Sequence, residues 1–183
     1  PTSLTLAGKS NELLERVGHI MANNNFRPYY NSDIIGVQVG GALKNIIAIA
    51  TGIAMGSKLG DGAIASLVSR GINEIITFGV ALGANKDTFL GLSGLGDLVL
   101  TATNLKSRNT QLGFQIGLSN QFESKVENLT EGIYTTKAVY NMAKELNLSL
   151  PIIEGVHNIL YNRNSVNDVI NLLLNRPLKK EYT

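Results

Sequence analysis

Apolar and polar residues alternate in Ser3-Leu4-Thr5-Leu6-Ala7, a two-residue period that predicts a short strand ended by Gly8. The period then lengthens. Leu13, Leu14, Val17, Ile20 and Met21 recur at helical spacing behind Glu12 and Glu15, and predict a helix over 11–24. Residues 26–30 predict a second strand, with Pro28 placing it at an edge or irregular position. Strand, helix and strand in about 30 residues form a βαβ-like unit. Asn31, Ser32 and Asp33 close it, and the pattern downstream is helical. Helices are predicted over 34–57, from an Asp61 cap to 82 where Gly83 stops it, over 87–90 with Asp87 as cap, and over 107–118, 132–146, 151–161 and 166–174. Pro151 suits a first helical turn, and Arg70 and Glu74 are spaced to pair across one turn. A glycine-rich turn at 91–96 leads into Asp97, and 176–183 reads as a polar tail. The fold class is therefore mainly α. Residues 1–32 form the tail of an α/β domain, and 33–183 form a helical domain.

Composition narrows the partners. The chain has 183 residues, enough for one domain and a piece of another, with 44% hydrophobic and 16% charged positions. So little charge implies extensive burial or packing on partners. A net charge of +2 gives no reason to expect nucleic acid. Without cysteine there are no disulfides or thiolate metal sites, and His19 and His157 alone suggest no metal cluster. Residues 34–56 carry a single charge, Lys44, over a length that could span a bilayer. They also hold Gln38, Asn45, Thr51 and five glycines, which favours a buried core helix over a membrane span. No secretory leader is visible, and a start at Pro1 suggests a truncated or processed chain.

Lys44 is the first residue with candidate chemistry. It follows Gly40 and Gly41 by about one turn on the same helix face. Glycine inside a helix costs about 1 kcal/mol relative to alanine, so two in a row imply that something approaches the backbone closely. An ammonium drawn out of water gives up its proton more readily and can serve as a general base. A lysine whose head snorkels to the surface fits the same spacing, and both readings stand. Asp97, after Gly94-Leu95-Gly96, reads as a helix cap or as a carboxylate held on a tight turn to orient a lysine or a substrate hydroxyl. Ser107-Arg108-Asn109 opens a helix, where free amides and a guanidinium suit phosphate, or where Ser107 is a plain cap with Arg108 exposed. Glu131-Gly132 opens another helix, a common place for a carboxylate.

Taken in order, Ile35-Gly36-Val37-Gln38-Val39-Gly40-Gly41-Ala42-Leu43-Lys44-Asn45, Gly94-Leu95-Gly96-Asp97-Leu98-Val99-Leu100-Thr101, Ser107-Arg108-Asn109 and Glu131-Gly132 closely resemble bacterial NAD(P)-dependent glycerol-3-phosphate dehydrogenase. The resemblance runs from Pro1 to about Leu174. It implies a two-domain enzyme with a Rossmann cofactor domain and a helical substrate-binding domain of the 6-phosphogluconate-dehydrogenase C-terminal-like type. It implies hydride transfer between NAD or NADP and the glycerol 3-phosphate/dihydroxyacetone phosphate pair, for phospholipid synthesis, in a cytoplasmic homodimer. By the same match Lys44 is the proton acceptor. Asp97, Ser107, Arg108 and Asn109 line the substrate site. Arg108, Leu129 and Glu131 reach the cofactor, although the family often has valine at the position of Leu129.

One departure stands beside the match. The 183 residues contain no G-x-G-x-x-G fingerprint, and a second substrate-contacting lysine of the family is not among them. The isolated chain is expected neither to bind the dinucleotide tightly nor to turn over. Two other readings remain: a related two-domain hydroxy-acid dehydrogenase, against which Ser107-Arg108-Asn109 argues, and a non-catalytic helical interaction or dimerisation module.

Overall fold

The computed structural model describes residues 1–123, 130–178 and 180. Strands β1 (Thr2–Ala7) and β2 (Phe26–Asn31) pair in parallel, Leu4 opposite Pro28 and Ala7 opposite Asn31. Parallel pairing needs a crossover, which α1 (Asn11–Met21) supplies. Ser10 caps α1 by accepting from the Leu13 amide. The helix ends three residues earlier than its apolar period predicts, because Ala22 is already extended. Only Leu14 and Gly18 of α1 are buried, so part of its apolar stripe, including Leu13 and Ile20, faces outward.

Seven further helices follow among the described residues: α2 (Ile34–Gly56), α3 (Asp61–Ala81), α4 (Asp97–Ala102), α5 (Arg108–Ser119), α6 (Glu131–Glu145), α7 (Pro151–Tyr161) and α8 (Val166–Leu174). A 3-10 turn at Lys86–Leu90 and a π turn at Leu92–Gly96 link α3 to α4. Helix α2 is the axis of the bundle and touches α3, α4, α5, α6 and α7. Leu43, Ile46, Ile47 and Ile49 are enclosed, and Ile75, Phe89, Leu98 and Ile153 from surrounding elements share the core. Each such side chain contributes about 1.5–3 kcal/mol on leaving water. Helices α2 and α3 are both long and apolar enough to cross a bilayer by length and composition, and α2 is mostly buried by its neighbours.

The closest approach is between α2 and α5. Gly52 and Gly56 lie against Gly113 and Gly117 with no side chain between the backbones. A Cβ on Gly52 would fall on the Thr110 carbonyl oxygen and 2.9 Å from the Phe114 amide nitrogen. One on Gly113 would fall on the Ile49 carbonyl oxygen and 2.9 Å from the Ile53 nitrogen. Two hydroxyls then fix α4 to this pair. Thr51 Oγ1 donates to the Ala102 carbonyl at 2.7 Å, and Thr110 Oγ1 donates to the Thr101 carbonyl at 2.7 Å. Both carbonyls lie in the last turn of α4, where no intrahelical amide reaches them.

Several local expectations shift. Gly60, at φ 86°, is the residue before α3, so Asp61 is its first helical residue and not its cap. Asn85 caps the 3-10 turn through Oδ1, which accepts from the Asp87 amide, so Asp87 is not the cap. Helix α6 starts at Glu131, one residue early. Glu74 does not pair with Arg70. It is buried, and its two oxygens accept from the Ile152 and Ile153 amides at 2.7 and 3.1 Å. Helix α7 opens with Leu150 and Pro151, which offer no side-chain cap, and a carboxylate from α3 takes that place. Burial pushes the Glu74 carboxyl up to about 7, against the lowering pull of the two amides.

Candidate functional site

Lys44 stands three turns into α2, and Asp97 is the first residue of α4. The Lys44 ammonium donates to Asp97 Oδ2 as an ion pair, with both side chains partly exposed. The lone charge of the apolar helix therefore has a carboxylate partner 53 residues away in the chain. Asp97 caps nothing, since Gly96 precedes the helix without a side-chain bond. The carboxylate is free to serve Lys44, and its Oδ1 accepts from Thr101 Oγ1 at 3.4 Å, one turn on.

The glycines before Lys44 divide into two cases. A Cβ on Gly40 would sit 2.7 Å from the Ser93 carbonyl oxygen, so the close approach expected there is the π turn. A Cβ on Gly41 would meet nothing within 4 Å, so the fold of this chain supplies no reason for glycine at that position.

The start of α5 is tied to the pair through Thr110, which bonds back to α4. Ser107 caps α5, its Oγ accepting from the Thr110 amide at 3.4 Å. The earlier first-turn amides are left without intrahelical acceptors. Arg108 is exposed, and among the described residues its guanidinium has no ion-pair partner. Asn109 is buried and its Oδ1 accepts from the Gly132 amide at 3.1 Å, which fastens the start of α5 to the start of α6. With the oxygen so engaged, the Asn109 NH2 is the group left to donate. Glu131 is exposed at the first turn of α6. Leu129 lies outside the described residues.

The chain of contacts Lys44–Asp97–Thr101–Thr110–Ser107 thus joins the charged pair to one helix start, and Asn109–Gly132 joins that start to a second. Two residues enter that the sequence reading did not single out. Thr101 holds Asp97. Asn45, beside Lys44, is 8% exposed and has no side-chain partner among the described residues. An asparagine inside an apolar run was the available signal. The histidines stand apart. His19 is exposed on α1, and His157 stacks on Tyr140 at 3.7 Å and Tyr161 at 5.0 Å, its proton affinity lowered by burial.

A parallel strand–helix–strand unit thus leads into a helical bundle that sets a lysine–aspartate pair beside two polar helix starts. The match is specific: the chain belongs to the family described as NAD-dependent glycerol-3-phosphate dehydrogenase C-terminus, which residues 33–171 match. It is 44% identical over 184 residues to glycerol-3-phosphate dehydrogenases (NAD(P)+) of Francisella tularensis, subspecies tularensis and novicida. That similarity covers 99% of this chain and 55% of theirs, so the chain spans about half the length of the curated relatives it matches. A crystal structure of glycerol-3-phosphate dehydrogenase from Coxiella burnetii superposes with a TM-score of 0.89 at 36% identity, over 96% of this chain and 55% of that one. The glycerol-3-phosphate dehydrogenase of Plasmodium falciparum, at 24% identity and a TM-score of 0.87 over 97% of this chain and 53% of that one, shares the fold.

Proposed function

We propose that this chain is the substrate-binding part of a glycerol-3-phosphate dehydrogenase that interconverts dihydroxyacetone phosphate and glycerol 3-phosphate. Residues 1–32 would be the last strand–helix–strand of its cofactor domain, and 33–183 the helical domain. The observation that carries the reading is the Lys44–Asp97 pair, bonded through Thr101 and Thr110 to the capped, cation-bearing start of α5.

The residues divide the work by chemistry. The exposed Arg108 fork, the open amides of α5 and the Asn109 NH2 grip the phosphate. Lys44 handles the proton at C2. On reduction its ammonium polarises the ketone and delivers a proton to the forming alkoxide, and on oxidation the amine takes the hydroxyl proton. Asp97 holds that ammonium in place. Bound NAD(P)H supplies the hydride. The residues present suit such a group: Gly41 leaves the helix surface bare on the face that carries Lys44, and Arg108 and Glu131 are exposed at adjoining helix starts. Arg108 and Glu131 would contact the dinucleotide, with Leu129 as a further contact. No dinucleotide fingerprint lies within the 183 residues, so most of the grip on the cofactor belongs to other sequence.

The test is dihydroxyacetone-phosphate-dependent oxidation of NADH or NADPH by the full-length protein. Wild type should turn over, and Lys44→Ala should lower kcat by about 100- to 10,000-fold, the usual worth of a positioned acid–base group. Equal rates in the two proteins would sink the mechanism. Turnover by the isolated 183 residues would overturn the assignment of cofactor binding elsewhere.

A further inference from the structure

Gly36, Gly40 and Lys44 stand four residues apart on α2 and so form one row along a single face. Segment 88–97 runs along that row in the same order. A Cβ on Gly36 would be 2.9 Å from Thr88 Cγ2 and would collide with Asp33 Oδ2. A Cβ on Gly40 would be 2.7 Å from the Ser93 carbonyl. Asp97 then meets Lys44. The register of the catalytic pair is thus set by how this segment lies against two bare turns of helix.

One carboxylate fastens the start of the row. Asp33 Oδ1 accepts from the Gly36 amide at 2.9 Å and so caps α2. Its Oδ2 accepts from the Asn85 amide at 2.9 Å and from Thr88 Oγ1 at 2.8 Å. Asn31, the last residue of β2, completes the knot: its Oδ1 accepts from the Asp33 amide at 2.8 Å and its Nδ2 donates to Thr88 Oγ1 at 3.4 Å. A helix cap needs only the first of these bonds. The others bolt the helix bearing Lys44 to the segment bearing Asp97, at the point where β2 enters the bundle. Burial works to raise the Asp33 carboxyl, but the bonds from Gly36, Thr88 and Asn85 hold it below the usual carboxylate range, so the latch is anionic at neutral pH.

We propose that Asp33 and Thr88 are positioning residues that set the register of Asp97 against Lys44. The proposal rests on the dehydrogenase reading above. Neither residue touches the pair. A misplacement of about 1 Å, introduced away from the chemistry, can cost on the order of 100-fold in rate.

The experiment uses full-length protein and compares wild type with Thr88→Val, Thr88→Ser and Asp33→Asn. It reads kcat, the KM for NAD(P)H, the pH profile of kcat and the thermal midpoint. Thr88→Val removes one hydroxyl at nearly constant shape. It should lower kcat by about 10- to 100-fold, leave the NAD(P)H KM within about twofold and displace the pH profile. Thr88→Ser, which keeps the hydroxyl, should restore both. Asp33→Asn, which can still cap Gly36, should behave like Thr88→Val. A lowered midpoint with unchanged kcat per folded molecule and an unchanged pH profile in Thr88→Val would overturn the proposal. If Thr88→Val does not fold, Asp33→Asn decides by the same criteria, and failure of both to fold would show the latch to be structural and overturn it. An inactive wild type would instead overturn the dehydrogenase reading, so the two failures are distinct.

Discussion

Replacing Gly113 by alanine adds one methyl group where α5 meets α2. The new Cβ would collide with the Ile49 carbonyl oxygen and lie 2.9 Å from the Ile53 nitrogen. Carbon atoms rest about 3.5–4.0 Å from their neighbours, so the helices would have to part by roughly 1 Å along their length. Neither obstacle can rotate away, since both are main-chain atoms inside a helix. Overpacking of this kind costs about 1–3 kcal/mol, occasionally more, and parting the helices also loosens the contacts of Ile46, Ile49 and Ile53 with their neighbours. Alanine returns at most about 1 kcal/mol in helix propensity. The net expectation is a loss of about 2 kcal/mol, or a fall in the thermal midpoint of about 4–8 °C for a chain of this size. The assay is thermal unfolding followed by circular dichroism, with Gly62→Ala as control. A Cβ on Gly62 meets nothing within 4 Å, so that variant should match or exceed wild type. A Gly113→Ala protein as stable as wild type would refute the claim that α2 and α5 touch through their backbones.

Other outcomes follow from single contacts. Glu74 has a folded-state value of about 7 against an ordinary 4.5, so the folded chain holds this proton more tightly than the unfolded one. Its contribution is full below pH 4.5 and is lost as pH rises through 7, an effect of at most about 3 kcal/mol. Thermal midpoints of wild type and Glu74→Gln should therefore diverge in slope between those values, and parallel curves would rule the effect out. Arg108→Lys keeps the charge and loses the fork. It should raise the KM for dihydroxyacetone phosphate by about tenfold without moving the thermal midpoint. An unchanged KM would remove Arg108 from the phosphate site. Gly41→Ala should stabilise the fold by about 0.4–1 kcal/mol, since nothing opposes a methyl group there. A destabilised variant would mean that the helix surface beside Lys44 is not open.

Features encoded by neighbouring residues were legible in the sequence. The extent of α2, the Ser107 cap, Pro151 in the first turn of α7 and the mainly α class all follow from local period and capping chemistry. Caps were misplaced by one or two residues where adjacent polar residues compete, as with Gly60 and Asp61 or Asn85 and Asp87. Glycine had to be explained by its partner, and the partner is distant. Gly40 signalled a close approach, but only the fold names Ser93, and the contacts of Gly52 with Thr110 and of Gly113 with Ile49 left no mark in either helix's periodicity. The same holds for Glu74. Its spacing from Arg70 suggested a surface pair, while the need for a carboxylate arose at the uncapped start of a helix 78 residues away. Lys44 and Asp97 were each visible as candidates, but their pairing is tertiary. It was the order of four motifs, and not any one spacing, that brought them together.

Because no side chain separates α2 from α5, no rotamer change can alter the gap between them. Lys44 lies about two turns before that contact on one helix, and Arg108 opens the other. In the proposed enzyme these are the proton-transfer group and the phosphate grip. The helices that carry them are therefore held at a spacing set by main chain and not by side chains. Widening that gap would mean rebuilding the main chain where α2 and α5 meet, since no side chain there can be trimmed or turned.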